Sequence, residues 1–294
     1  MRLLPDVEQL AEGLSAFIRK GGWLVGPLGG MAMLYLLQDK LVFNPVNTPP
    51  SVYRAGNGHR TCAVTLTMRD GTRVRGWWMR PHRATPNSCP ALIYFGGRSE
   101  EVSWVSGPCS GLGGLHAVFM NYRGYGNSQG KPSEASLLAD ALELYDWIGS
   151  QPGVHAQQVV VIGRSLGTGI AAYVASQRPV AAAILITPYD SIVEIARRRF
   201  PYCAAQFLLK HRFDALRFAS LSTAPALVLL AEHDTVIPKH HAMRLVEAWG
   251  GQKQVTTIAE TDHCDVQAHQ VSWKAIAAFL KQQFGNPMRD GMTD

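Results

Sequence analysis

Two serines of the chain lie in the pattern G-x-S-x-G. One is Ser165, in Gly163-Arg164-Ser165-Leu166-Gly167; the other is Ser128, in Gly126-Asn127-Ser128-Gln129-Gly130. A serine of this kind can attack a carbonyl carbon, provided that a base takes its proton and a carboxylate orients the base. The pattern alone does not choose between them. The chemistry needs a strand that ends at the first glycine and a helix that starts just after the serine, because that tight turn exposes Oγ from strained backbone. Val159-Val160-Val161-Ile162 runs directly into Gly163, and Thr168 to Ala172 continues as a helix against the sheet. Ser128 has neither neighbour: its strand ends near Tyr122, Arg123-Gly124-Tyr125 intervenes, and Pro132 delays the next helix to Ser133. Ser165 is the candidate nucleophile, and residues 124–130 read as an irregular loop beside it.

The elements that must position Ser165 follow from periodicity. Ala63–Met68 and Arg73–Met79 flank Asp70-Gly71 and read as a hairpin. Ala91–Phe95, Ala117–Met120, Val159–Ile162, Ala182–Ile186, Ala226–Leu230 and Val255–Ile258 are short apolar runs. Between them lie helical patterns, among them one capped by Ser133 with Leu137, Leu138, Ala141, Leu142, Tyr145 and Ile148 on a stripe, and a closing helix over Trp273–Phe284. Continuous apolar strands separated by helices predict a mostly parallel sheet covered on both faces. Functional groups of such a sheet gather beyond the carboxyl ends of its strands.

In that frame the expected chain order is serine, acid, histidine. After Ser165 come His211, His233, His240, His241, His263 and His269. Only His263 sits just past a late strand and before the closing helix, which makes it the candidate base. His233 competes, but Asp234 beside it, after Ala226–Leu230, suits the acid. His240 and His241 are expected to be solvated on a helix. Asp190 is the alternative acid and is expected instead to cap the next helix. Asp262 and Asp265 read as loop carboxylates. The oxyanion formed by attack needs backbone N–H donors. The amide of Leu166 is one; the loop Gly96-Gly97-Arg98-Ser99 should supply the other, from Arg98 with Gly97 as fallback.

The 294 residues are 47% apolar and 17% charged, a globular composition. The net charge of +6 is scattered apart from Arg197-Arg198-Arg199, and no nucleic-acid motif accompanies it. Five cysteines with no C-x-x-C pair exclude a zinc ribbon and a fully paired disulfide framework. Gly21–Gln38 carries no charge over eighteen residues, with Arg19-Lys20 before it and Asp39-Lys40 after. At ~1.5 Å per residue such a helix nearly spans the ~30 Å hydrocarbon layer. We expect a single-pass membrane anchor over 21–38, with the basic flank favouring a domain outside the cytoplasm. A cleaved signal peptide and a segment docked on the body are the alternatives. The expected organisation is an N-terminal segment 1–45, a body over 46–286 and a flexible tail over 287–294.

These features resemble the α/β-hydrolase fold serine hydrolases over roughly 38–284. Within that superfamily the chain resembles small, N-terminally membrane-anchored hydrolases, some of whose relatives are depalmitoylating thioesterases. The likeness rests on Gln38 to Pro45 after an apolar stretch, Tyr94-Phe95-Gly96-Gly97, Asn121 to Gly126, Gly163 to Gly167, and His233-Asp234 with Ile237-Pro238. It implies Ser165, Asp234 and His263 as a triad, a small cap, and no metal or organic cofactor. Relatives carry Asn where this chain has Arg98. The implied partner is a small or lipid-like acyl ester or thioester, with no nucleic acid. Two rivals remain: an aminopeptidase, for which Glu100 and Glu101 are the only tempting amine-binding carboxylates, and a non-catalytic membrane-bound scaffold. Residues 190–221 read either as a lid over an acyl pocket or as an ordinary crossover with a basic face.

Overall fold

The apolar runs become the strands of one sheet. A computed structural model describes residues 26–48, 61–81, 88–199 and 205–285. The expected tail 287–294 lies outside them, as do residues 21–25 of the apolar stretch and Phe200 of the cap. The strands are β1 (Thr61–Thr67), β2 (Arg73–Met79), β3 (Cys89–Phe95), β4 (His116–Met120), β5 (Val154–Arg164), β6 (Ala182–Ile186), β7 (Ala226–Ala231) and β8 (Lys253–Ile258). They form an eight-stranded sheet in the order β1-β2-β4-β3-β5-β6-β7-β8. β2 runs antiparallel to β1 and β4, and every other pairing is parallel. The first hairpin closes at Asp70-Gly71, where Gly71 takes φ +82° and donates to Met68 O at 2.8 Å.

Alternation along the inner strands feeds two cores. Ala91, Ile93 and Phe95 of β3 face one of them, and Leu92 and Tyr94 the other. The first core is closed by α3 (Glu134–Gly149), α4 (Leu166–Gln177), α7 (Ala215–Leu221) and α8 (Lys239–Ala248). The second is closed by α9 (Gln270–Phe284) through Trp273, Ile276, Phe279 and Leu280, with help from α2 (Ser106–Ser110) and the 3₁₀ turn Val102–Val105 before it. This is the doubly covered, mostly parallel sheet that continuous apolar runs predict. The helix after Ser133 buries Leu137, Ala141, Tyr145 and Ile148, and Ser133 Oγ accepts from Ser136 N at 3.1 Å as its cap.

The N-terminal stretch departs from expectation. Its described part is helix α1 (Gly26–Val42), 17 residues that include Asp39 and Lys40. No helix among the described residues is long and apolar enough to cross a membrane. The end of α1 is docked on the body. Gln38 donates to Leu208 O at 3.3 Å and accepts from Lys210 N at 2.7 Å, and Phe43 is wholly buried. The span expected over 21–38 lies partly outside the described residues, and its described end, at Gln38, is hydrogen-bonded to the body.

Between β6 and β7 the chain forms α5 (Ile192–Arg199), α6 (Ala205–Leu208) and then α7. Leu209 and Phe213 are spent on the core, whereas Phe207 is 81% exposed. Arg197 and Arg198 face solvent.

Candidate active site

The site is built on the end of β5. Val159 to Ile162 are buried, and the strand delivers Ser165 into a turn with φ +49° and ψ −117°, outside the relaxed regions for an L-residue. Ser165 N donates to Ile186 O at 2.9 Å, which pins the turn to β6. Helix α4 begins at once with Leu166. The two flanking glycines are required by contact: a Cβ on Gly163 would lie 2.3 Å from Gly167 O, and one on Gly167 would lie 2.1 Å from Phe95 O.

Two loops bring partners to this hydroxyl. His263 Nε2 lies 2.9 Å from Ser165 Oγ, and its Nδ1 lies 2.9 Å from Asp234 Oδ2. The side chains of His263 and Asp234 are 9% and 8% exposed. The other Asp234 oxygen, Oδ1, accepts from Val236 N at 3.0 Å and Ile237 N at 2.7 Å, which fixes the plane of the carboxylate. Thus the structure brings the three side chains singled out in the sequence into one hydrogen-bonded line. His233 is exposed, and only its backbone takes part, donating to Thr261 O at 2.9 Å and so joining the Asp234 loop to the His263 loop. With the imidazole Nδ1 held by a carboxylate, Nε2 is placed to receive the hydroxyl proton.

The loop after β3 holds the candidate oxyanion donors. Gly97 N, the fallback donor, is already taken: it donates to Glu100 Oε2 at 2.5 Å. That leaves the Arg98 amide, together with that of Leu166, which opens α4 and has no acceptor within its own helix. Glu100 is buried and fully engaged. Its Oε1 accepts from Tyr94 OH at 2.8 Å and from Trp104 Nε1 at 3.1 Å, and its Oε2 pairs with Arg164 Nη1 at 3.4 Å. Arg164 Nη2 donates in turn to His263 O at 2.7 Å. Burial, with Glu100 alongside, pushes the Tyr94 hydroxyl well above its ordinary pKa, so it stays a donor. Tyr122, raised by burial as well, donates to Gly96 O at 2.7 Å and braces the same loop. Glu101 accepts from Ser103 N, Thr48 Oγ1 and Asn121 Nδ2. Neither carboxylate of the Glu100–Glu101 pair is therefore available to a peptide amine. The positioning roles of Arg164 and Glu100 escape a motif reading, which treats the second position of the elbow as variable.

Other expectations are corrected. Asp190 does not cap α5: Ser191 Oγ accepts from Glu194 N at 3.1 Å in that role. The Asp190 carboxylate lies 3.0 Å from His241 Nδ1 and 2.9 Å from Arg244 Nη1. His241, expected in solvent, is 3% exposed, while its neighbour His240 is exposed. Burial of His241 was signalled by its helical phase with Ala242, Leu245 and Val246, which share its face. Ser128 is a turn serine. Its Oγ accepts from Arg75 N at 2.8 Å and donates to Asn121 O at 3.1 Å, so the hydroxyl is spent on backbone. Glu232, His233 and Glu260 bring potential metal-ligand atoms within 4.8 Å of one another, but all three are exposed and stand outside the Ser165 line.

Comparison with known proteins bears on family and fold. Residues 142–282 match the family model described as serine hydrolase. An uncharacterized protein of Mycobacterium tuberculosis is 30% identical over 263 residues, covering 86% of this chain and 91% of that protein. The alpha/beta hydrolase domain-containing protein 17B of Xenopus tropicalis is 27% identical over 228 residues, 76% of each chain. An acetyl xylan esterase from Paenibacillus sp. R4 superposes with a TM-score of 0.62 at 19% identity, over 77% of this chain and 85% of the esterase, a likeness of fold.

Proposed function

The chain belongs to the serine hydrolases of the α/β-hydrolase fold, and on that premise we propose that it cleaves carboxylic esters or thioesters through an acyl-enzyme at Ser165. One observation carries the reading: the line Ser165 Oγ, His263 Nε2, His263 Nδ1, Asp234 Oδ2, with both links at 2.9 Å. In this mechanism Ser165 Oγ bonds to the carbonyl carbon while His263 Nε2 takes its proton. Asp234 stabilises the imidazolium. The Leu166 and Arg98 amides meet the oxyanion. Collapse breaks the bond to the leaving alcohol or thiol, which receives the proton from His263. Water then attacks the acyl carbon by the same route, releasing the acid and restoring Ser165.

Esters or thioesters fit better than aminoacyl amides, because the two glutamates near the mouth are committed internally. The proposed substrate is a small or lipid-like acyl ester. The exposed side chains of Leu36 on α1 and Phe207 on α6, at 77% and 81%, support contact of the N-terminal stretch with a membrane surface. The test is kinetic. Wild type and Ser165→Ala are offered a fluorophosphonate probe, then p-nitrophenyl esters of graded length, acyl thioesters and aminoacyl amides. Wild type should label and turn over esters or thioesters, and Ser165→Ala should do neither. An unlabelled wild type, or hydrolysis confined to amides, would overturn the reading.

A further inference from the structure

The loop that carries the second oxyanion donor is not held by the sheet alone. Arg98 Nη2 donates to Lys40 O at 3.1 Å, Ser99 N donates to Phe43 O at 3.1 Å, and Asn44 Nδ2 donates to Ser99 Oγ at 2.8 Å. Tyr125 OH donates to the same Phe43 carbonyl. Lys40 O is one of the last carbonyls of α1, and these lack acceptor duty within a helix and carry its negative dipole end. A guanidinium is well matched to such a carbonyl. Ser99 holds φ +56°, a left-handed conformation that a serine keeps only where its surroundings enforce it, and Asn44, a residue that tolerates this region, holds φ +49°. From the other side, the cap grips the same helix end through Gln38 to Leu208 O and Lys210 N, and through Asp39 to His211 Nε2 at 3.1 Å. The end of α1 is thus clamped between the cap and the oxyanion loop.

We propose that Arg98 is a positioning residue whose side chain, by gripping the end of α1, aims its own amide at the oxyanion, so that the seating of the N-terminal helix sets the rate of acyl transfer. The inference rests on the hydrolase reading above. It differs from a ground-state binding role because the amide meets full charge only in the transition state, so its loss appears in kcat. Removing an oxyanion donor outright costs about a hundred- to a thousandfold; misaiming one should cost less.

The test compares wild type, Arg98→Met, Arg98→Lys and Ser165→Ala. Arg98→Met keeps the apolar stem and deletes the guanidinium; Arg98→Lys restores a cation. Kinetics on the best ester, affinity for a boronic acid, thermal melting, and hydrogen exchange of peptides spanning 96–101 are measured on the full chain. Arg98→Met should lower kcat about tenfold, with KM within about threefold and the melting temperature nearly unchanged. Boronate affinity should weaken by a similar factor, exchange over 96–101 should quicken, and Arg98→Lys should recover most of kcat. An active wild type with kcat unchanged in Arg98→Met, or a change in KM alone, overturns the coupling and leaves the hydrolase reading intact. A wild type that neither labels nor turns over overturns the hydrolase reading. In that case unchanged exchange over 96–101 would also refute the clamp, and quickened exchange would uphold it.

Discussion

Two histidine–aspartate pairs follow neighbouring strands of the sheet and do different things. His263 meets Asp234 after β7, and His241 meets Asp190 after β6. Their link lengths are alike, 2.9 and 3.0 Å. The second pair is more buried, with side chains 4% and 1% exposed against 9% and 8%. The difference lies at the far nitrogen. His263 Nε2 faces Ser165 Oγ, whereas His241 Nε2 is buried with no hydrogen-bond partner. The second carboxylate also carries Arg244, which reaches Glu194 of α5 at 3.8 Å. One pair holds its imidazole against the partly buried Ser165 hydroxyl; the other fastens the first cap helix to α8. An imidazole on a carboxylate is therefore not itself a sign of catalysis, and what lies beyond the imidazole decides.

Substitutions should separate the two pairs. The largest effect belongs to Ser165→Ala, which should lower kcat by about a millionfold on the best ester, as for other nucleophiles that act as a unit with their base. Loss of less than about a hundredfold would mean that a different group attacks. Asp234→Asn should cost about ten-thousandfold in kcat, because the wrong imidazole tautomer is then held. Asp190→Asn, its counterpart, should change kcat less than threefold by the same assay. His241→Ala should leave turnover nearly intact and lower unfolding free energy by about 2 kcal/mol in urea titrations, the cost of stranding a buried partner. A collapse of kcat in a folded His241→Ala protein would erase the distinction between the pairs. The smallest effect concerns a third buried imidazole, His116, whose Nδ1 accepts from Trp78 Nε1 at 3.3 Å. Burial pulls its pKa below the ordinary 6.5, so the native state favours the neutral ring. Its contribution to stability is present above pH 6.5 and is lost as pH falls through the depressed native value. Urea midpoints between pH 7.5 and 5 should accordingly fall more steeply in wild type than in His116→Gln.

Much of this was readable from residue order because the inner strands are buried on both faces and so appear as unbroken apolar runs. Val159–Ile162 leading into Gly163 marks the elbow for that reason, and the late position of His263 follows from the strand before it. What resisted reading depends on contacts distant along the chain. Arg164 is one residue from Ser165, yet its work is to join Glu100 and the His263 carbonyl, 64 and 99 positions away. Gln38 closes the apolar stretch 21–38 and bonds to the cap 170 and 172 residues on, a contact that hydropathy cannot see. Asp190 looks like a cap because its partner His241 lies 51 residues on.

The guanidinium of Arg164 has a broader consequence. Nucleophile, base and oxyanion loop come from three separate stretches of chain, and each would drift on its own if mounted on its own loop. Arg164 sits one residue before the nucleophile, grasps the backbone of the base, and meets the carboxylate that holds the amide of Gly97. The three parts therefore share a single datum, like instruments bolted to one optical bench.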